Sequence, residues 1–197
     1  MPRFLSRLLS CLPFAVPTPA RHIDGHYFDL ATQYYVAARW ATFTVSGTVA
    51  GNLFHHAIEL YLKGDLSRSV SRRHLTKYGH NLKRLWKVYK QKHSASALSG
   101  FDRCIKDLHK FETIRYPDAI AEKGMFFAIA VSRPQPPLDF WVLGSTPPTY
   151  FVVVNEIDQL VRILFTTSSL NPDFFFAKLG TEGRVVLYRN NPAFVSA

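Results

Sequence analysis

Beyond Pro19, apolar residues return at the three- and four-residue steps of amphipathic helices. In HYFDLATQYYVAARWATF, the recurrence of Tyr27, Leu30, Tyr34, Ala37, Ala38 and Ala41 predicts a first helix with that stripe turned inward. A short break at 46–48, with Ser46 as a cap, leads to a second helix. Its stripe is Val49, Leu53, Ala57, Leu60 and Gly64, widened by Phe54, Ile58 and Tyr61. Residues 67–79 are polar and basic and read as a loop with room for one turn of helix. In HNLKRLWKVYK, a face of Leu82, Leu85, Trp86 and Tyr89 opposes Lys83, Arg84, Lys87 and Lys90, which predicts a third helix. A small-residue linker ends at Gly100. A fourth helix follows, with Phe101, Ile105, Leu108 and either Phe111 or Glu112 inward, and it stops near Pro117.

The pattern then changes. MFFAIAVSRP, LDFWVLG and TYFVVV are short apolar runs separated by turn residues, and predict two or three antiparallel strands or an irregular apolar flap over 124–154. Helical spacing resumes through Ile157, Leu160, Val161 and Leu164, with Asn155 as cap. PDFFFAKLGTEG predicts a final short helix ended by Gly180, and RVVLYRNNPAF an extended tail. The expected fold is therefore mainly α: one helical bundle domain over 21–197, with a small β or irregular insertion and added C-terminal helices. Residues 1–20, which carry Arg3, Arg7 and Pro13 through a short apolar run, read as a leader outside it.

Composition sharpens this picture at one point, the placement of charge. The net charge is +10, and residues 61–110 hold 13 Lys and Arg against 3 Asp, while the rest of the chain is balanced. A positive field confined to one stretch suits a polyanion such as RNA or a nucleotide, or an acidic protein surface. Cys11 and Cys104 make neither a disulfide framework nor a zinc site, so a cytoplasmic protein is expected. No apolar run has the length of a membrane span, and no membrane partner is expected.

Candidate chemistry centres on GNLFHHAIELYLKGDL. His55, Glu59 and Lys63 are spaced by four and share one helix face, where a solvated charge ladder is the expected arrangement and a charge-assisted hydrogen-bond network that orients an imidazole is the alternative. His56 lies nearer the apolar stripe. His80 stands at the entry to the third helix, from which it can reach back to the second or meet a phosphate. HIDGH offers His22, Asp24 and His26 in an apparent loop without a third ligand, and no CxxC, HExxH, phosphate-binding glycine loop or GxSxG is present. Neither metal nor cofactor is expected.

AGNLFHHAIELYLKGDL, then GHNLKRLW, then LHKFETIRYPD, taken in this order and spacing over 27–118, resembles the HEPN family of small helical nucleotide-binding domains. The telling residues are His56, Ala57, Glu59 and Lys63, the His80-Asn81-Leu82 helix entry, and Arg115-Tyr116-Pro117. The resemblance implies an antiparallel bundle of four to five helices, commonly a homodimer. It also implies RNA or nucleotide binding, or metal-independent RNA cleavage in defence or toxin–antitoxin systems. Catalytic members carry an arginine, a polar residue and a histidine after four to six intervening positions. Here Arg103 and His109 have five, with Cys104 after the arginine, and Arg73 and His80 have six, with His74 after it. In such a site histidine moves the 2′-hydroxyl proton and arginine stabilises phosphate charge.

Three functions fit these features. The first is a binding or regulatory module that presents Arg72, Arg73, Lys77, Lys83, Arg84, Lys87 and Lys90 to RNA or nucleotide, with His55, His56, Glu59, Lys63 and Arg115 as a polar network. The second is an endoribonuclease using His80, His109, Arg103 or Arg73. The third is a structural subunit whose basic face docks an acidic protein.

Overall fold

The computed structural model describes residues 23–44, 46–94, 96–116, 118–133 and 147–194. Within them the protein is mainly α. Helix α1 spans Ile23–Phe43, α2 Gly47–Leu66, α3 Arg72–Lys77, α4 Leu82–His93, α5 Asp102–Lys110 and α6 Asp118–Lys123. Strands β1 (Phe126–Ala130) and β2 (Thr149–Val153) follow, then α7 (Val154–Thr167), α8 (Pro172–Phe176) and α9 (Thr181–Tyr188). The expected leader over 1–20 and the apolar run LDFWVLG lie outside the described residues.

Helices α1 and α2 form the antiparallel centre: Phe28 lies against Gly64, Thr32 bonds Tyr61 at 3.0 Å, and Tyr34 and Tyr35 meet His56 and Phe54. The aromatic core continues through Phe165 and Phe175, both in ring contact with Phe28. The first expected stripe is rotated and the second is widened. On α1 the buried face is Phe28, Ala31, Tyr35 and Ala38, and Leu30 and Ala37 face outward. Apolar residues surround this helix, so periodicity alone selects no face. On α2 Val49 is exposed, whereas burial takes in almost the whole second half, including His55, Glu59 and Asp65. A helix covered on most sides is the bundle's axis rather than one of its walls.

The outer helices follow the sequence more closely. Asn81 caps α4, its side chain accepting from the Arg84 N–H at 3.0 Å, and Leu82, Leu85, Trp86 and Tyr89 are buried. The linker after α4 is partly a 3-10 turn, Ser96–Phe101. Helix α5 buries Cys104, Ile105 and Leu108, and a second 3-10 turn, Phe111–Ile114, places Phe111 inward rather than Glu112. Trp86 and Lys90 both donate to Asp102, which joins α4 to α5.

Asp65 fastens the far end of α4. It accepts from Lys92 Nζ at 2.8 Å and His93 Nε2 at 2.7 Å. Burial works to raise its carboxyl pKa, but these two donors outweigh it and hold the value below the ordinary carboxylate range. A carboxyl depressed in the folded state stabilises the fold above its unfolded pKa, and that contribution is lost as pH falls through the folded value. In Asp65→Asn the melting temperature should therefore fall less steeply on acidification than in the parent. Parallel acid limbs for the two proteins would remove this role.

Two expectations for the C-terminal part are corrected. The strands are parallel, with Phe126 opposite Thr149 and Ala130 opposite Val153, not antiparallel. A parallel pair needs a crossover of a dozen residues or more, and 131–148 has that length, whereas a tight turn does not. Arg133 anchors the end of β1, donating twice to Glu156 on α7 at 2.6 Å and to Asp107 on α5 at 3.1 Å.

The extended tail is instead α9, with Gly180 preceding it rather than ending the last helix. Arg39 of α1 stabilises the end of α9 by donating to the carbonyls of Val186 at 3.3 Å and Arg189 at 2.5 Å. That fully buried guanidinium also pairs with Asp158 of α7, which accepts the Tyr35 hydroxyl at 2.5 Å. Burial pushes the Asp158 carboxyl up, and Arg39 and Tyr35 draw it down. No helix among the described residues is long and apolar enough to cross a membrane.

Candidate functional site

The expected solvated ladder on α2 is a buried network. Glu59 has a side chain only 2 % exposed, yet it is ionised and has three near partners, with His55 a more distant fourth. Lys63 Nζ donates to Oε1 at 2.5 Å, His80 Nδ1 lies 2.9 Å from Oε2, and His56 Nδ1 lies 3.5 Å from the same oxygen. Burial alone would raise the pKa of this carboxyl. Hydrogen bonds from His56, Lys63 and His80 overcome that and bring it to about 2.

His80 reaches Glu59 because of the turn between α3 and α4. Gly79 takes φ +55, the left-handed region in which glycine carries no Cβ penalty, and Asn81 caps α4 two residues later. His80 is thereby held at Nδ1 while its side chain stays 42 % exposed. Tyr34 meets the His56 ring edge-on at 4.5 Å.

His55 lies on the α5 side of Glu59, with its Nε2 3.9 Å from Oε2 and its ring set into the junction with α5. Its Nδ1 lies 3.0 Å from the Leu108 carbonyl, and its Nε2 lies 3.1 Å from the His80 carbonyl and 3.3 Å from Glu112 Oε2. Carbonyl oxygens only accept, so a neutral ring can satisfy one of the two and a protonated ring both. Burial lowers the His55 pKa, while the Leu108 carbonyl, Glu59 and Glu112 oppose that. His55 thus ties the end of α5 and the His80 turn to the bundle axis.

His109 stacks against His55 with ring centroids 6.4 Å apart. Its Nδ1 is buried and has no hydrogen-bond partner among the described residues. Burial, Lys83 and His55 together lower its pKa, against the opposing charge of Glu112. The backbone carbonyl of His80 and the ring of His109, far apart in sequence, thus both meet one buried histidine. Glu112, one of two inward candidates at the end of the fourth helix, belongs to this cluster, as does Lys83, whose position on the polar face of α4 gives no sign of it. Arg115 is close enough to oppose protonation of His55.

The arginines of the two sequence-expected pairs do not join them. Arg73 and Arg103 face solvent, and neither bonds to His80 or His109. On α5, six residues turn Arg103 about 120° away from His109.

Of the expected basic surface, Arg72, Arg73, Lys77, Lys83, Arg84 and Lys87 are exposed, and among the described residues none is paired with a carboxylate. Lys90 is paired with Asp102, and Arg84 lies 5.0 Å over the Tyr78 ring. Beside α3 a cleft of about 410 Å³ is lined mainly by Tyr27, Leu30, Leu60, Val70 and Leu75, with His26 and Arg72 at its rim. Asp24 and His26 sit in the first turn of α1 rather than in a loop, Asp24 is paired with Arg68 at 2.7 Å, and His22 lies outside the described residues. Comparison of the chain with protein-family models, curated proteins and solved structures finds no match.

Proposed function

We propose that the protein is a HEPN-like RNA- or nucleotide-binding module whose phosphate-contacting surface is made by α3, α4 and the His80 turn between them. The observation that carries this reading is the set of six cations on α3 and α4 that have no carboxylate partner among the described residues, placed on both sides of a half-exposed histidine that a buried glutamate holds. Exposed Lys and Arg without carboxylate partners keep their full charge for a polyanion. The apolar cleft with Arg72 at its rim suits an unstacked base with its phosphate outside.

Binding of a labelled mixed-sequence RNA, followed by fluorescence anisotropy across a salt series, tests the reading. The expected result is binding at low salt that weakens steeply as salt rises. Combined Lys83→Gln, Arg84→Gln and Lys87→Gln should reduce the slope of log affinity against log salt by about 0.7 for each phosphate no longer neutralised. Absence of binding at low salt, with an acidic protein co-purifying instead, would replace this reading with the partner-docking one.

A second reading, metal-independent RNA cleavage, is favoured by one observation: the His109 ring and the backbone carbonyl of His80 both meet His55. With His109 neutral, it would take the 2′-hydroxyl proton and His80 would protonate the leaving oxygen. That reading predicts cleavage in the presence of chelator that His109→Ala lowers by about 100-fold or more. Cleavage that persists in His109→Ala is a contaminant's.

A further inference from the structure

His56, Glu59 and His80 form a second kind of site. Each offers one ligand atom, and these atoms all lie within 4.8 Å of one another. We propose that they bind a divalent transition-metal ion, zinc foremost, through His56 Nδ1, Glu59 Oε2 and His80 Nδ1, with a fourth position open to water or a phosphate oxygen. Metal binding of this kind is independent of RNA binding, because it depends on ligand type and spacing alone.

Two imidazoles and one carboxylate are a donor set characteristic of zinc sites that keep an open coordination position. At zinc–ligand distances of about 2.0–2.1 Å, a tetrahedral site has ligand–ligand edges of about 3.3 Å. The two measured edges to Glu59 Oε2, 3.5 Å from His56 and 2.9 Å from His80, bracket that value. Helix α2 supplies His56 and Glu59 at i and i+3, and the Gly79 turn supplies the third ligand from outside the helix.

The surroundings fit an ion as well. Lys63 binds Glu59 through Oε1, which leaves Oε2 for the metal and orients the carboxylate as an outer partner does. Tyr34 packs against the His56 ring and limits its rotation. His80 is half-exposed, so the cluster can be reached from solvent. The sequence spacing conceals the set, because His80 lies outside the helix that carries the other two ligands.

The test uses the full chain without a histidine tag, stripped of metal and titrated with cobalt(II), whose visible absorption is intense in tetrahedral sites. One equivalent should produce that band, one equivalent of zinc should abolish it, and zinc should raise the melting temperature. His56→Ala and His80→Ala, checked for folding by circular dichroism, should each weaken binding by roughly 100-fold or more. His74→Ala, on the exposed face of α3, should bind as the parent does. A parent protein that produces no stoichiometric band, or a band that survives both substitutions in folded protein, would overturn the proposal. RNA affinity measured alongside keeps the two claims separate, since Lys83, Arg84 and Lys87 serve one and not the other.

Discussion

Replacing Arg39 with methionine is expected to destabilise the fold by about 3–5 kcal/mol, the usual cost of removing one partner from a buried ion pair. Arg39 and Asp158 are both essentially inaccessible. Without the guanidinium, the Asp158 carboxylate keeps only the Tyr35 hydroxyl, and the carbonyls of Val186 and Arg189 lose their donor. Helix α9 should loosen first, because its end is held by the same side chain. Urea unfolding of Arg39→Met measures the loss, and hydrogen exchange locates it in 181–189. The double variant Arg39→Met with Asp158→Leu should recover much of the loss, since an apolar pair of similar volume needs no partner. A double variant as unstable as the single one would show that the α9 carbonyls, not the stranded carboxylate, dominate the cost.

Gly51→Ala is the second large effect, and its sign opposes helix propensity. In an exposed helix interior the change would stabilise by about 1 kcal/mol. Here a Cβ at position 51 would overlap the ring of Phe111, which is fully buried. The 3-10 turn after α5 rests on α2 at this point, one helical turn before His55, so the strain should reach the Leu108 contact. The expected destabilisation is roughly 1–3 kcal/mol. Phe111→Leu in the same chain should relieve part of it, giving a non-additive double-mutant cycle. Strict additivity would mean that the ring moves aside at no cost.

Legibility in the sequence varied with how sharply polarity changed around each helix. Helix α4 was readable because Leu82, Leu85, Trp86 and Tyr89 alternate with lysines and arginines, so one face is unambiguous. Helix α1 was readable as a helix but not in orientation, because Leu30, Trp40 and Phe43 are exposed while Arg39 is buried. Helix α9 was misread because Arg184 through Tyr188 is β-branched and aromatic enough to suggest an extended chain. Its capping donor comes from α1, which no local pattern contains.

The candidate site divides along similar lines. His55, Glu59 and Lys63 were visible as a row on one face, and His80 as a helix-entry residue able to reach back. Their burial was not visible, and burial changes what the row is: a solvated ladder screens its own charges, whereas an enclosed Glu59 fixes two histidines and a lysine. The arginine–histidine spacings of 73–80 and 103–109 were legible as patterns, but helix rotation and the Gly79 turn send the arginines to solvent.

The sequence by itself determined the mainly α character, the concentration of positive charge between 61 and 110, and the position of most helices. These follow from local periodicity and composition, which act between residues close along the chain. Only the tertiary structure decided that α2 is enclosed, that the two strands run parallel, and that the His80 turn and His109 meet at His55. Burial, desolvation and convergence depend on which distant segments exclude water from a side chain, and that information lies in the packing of α5, α7 and α9 around the central pair.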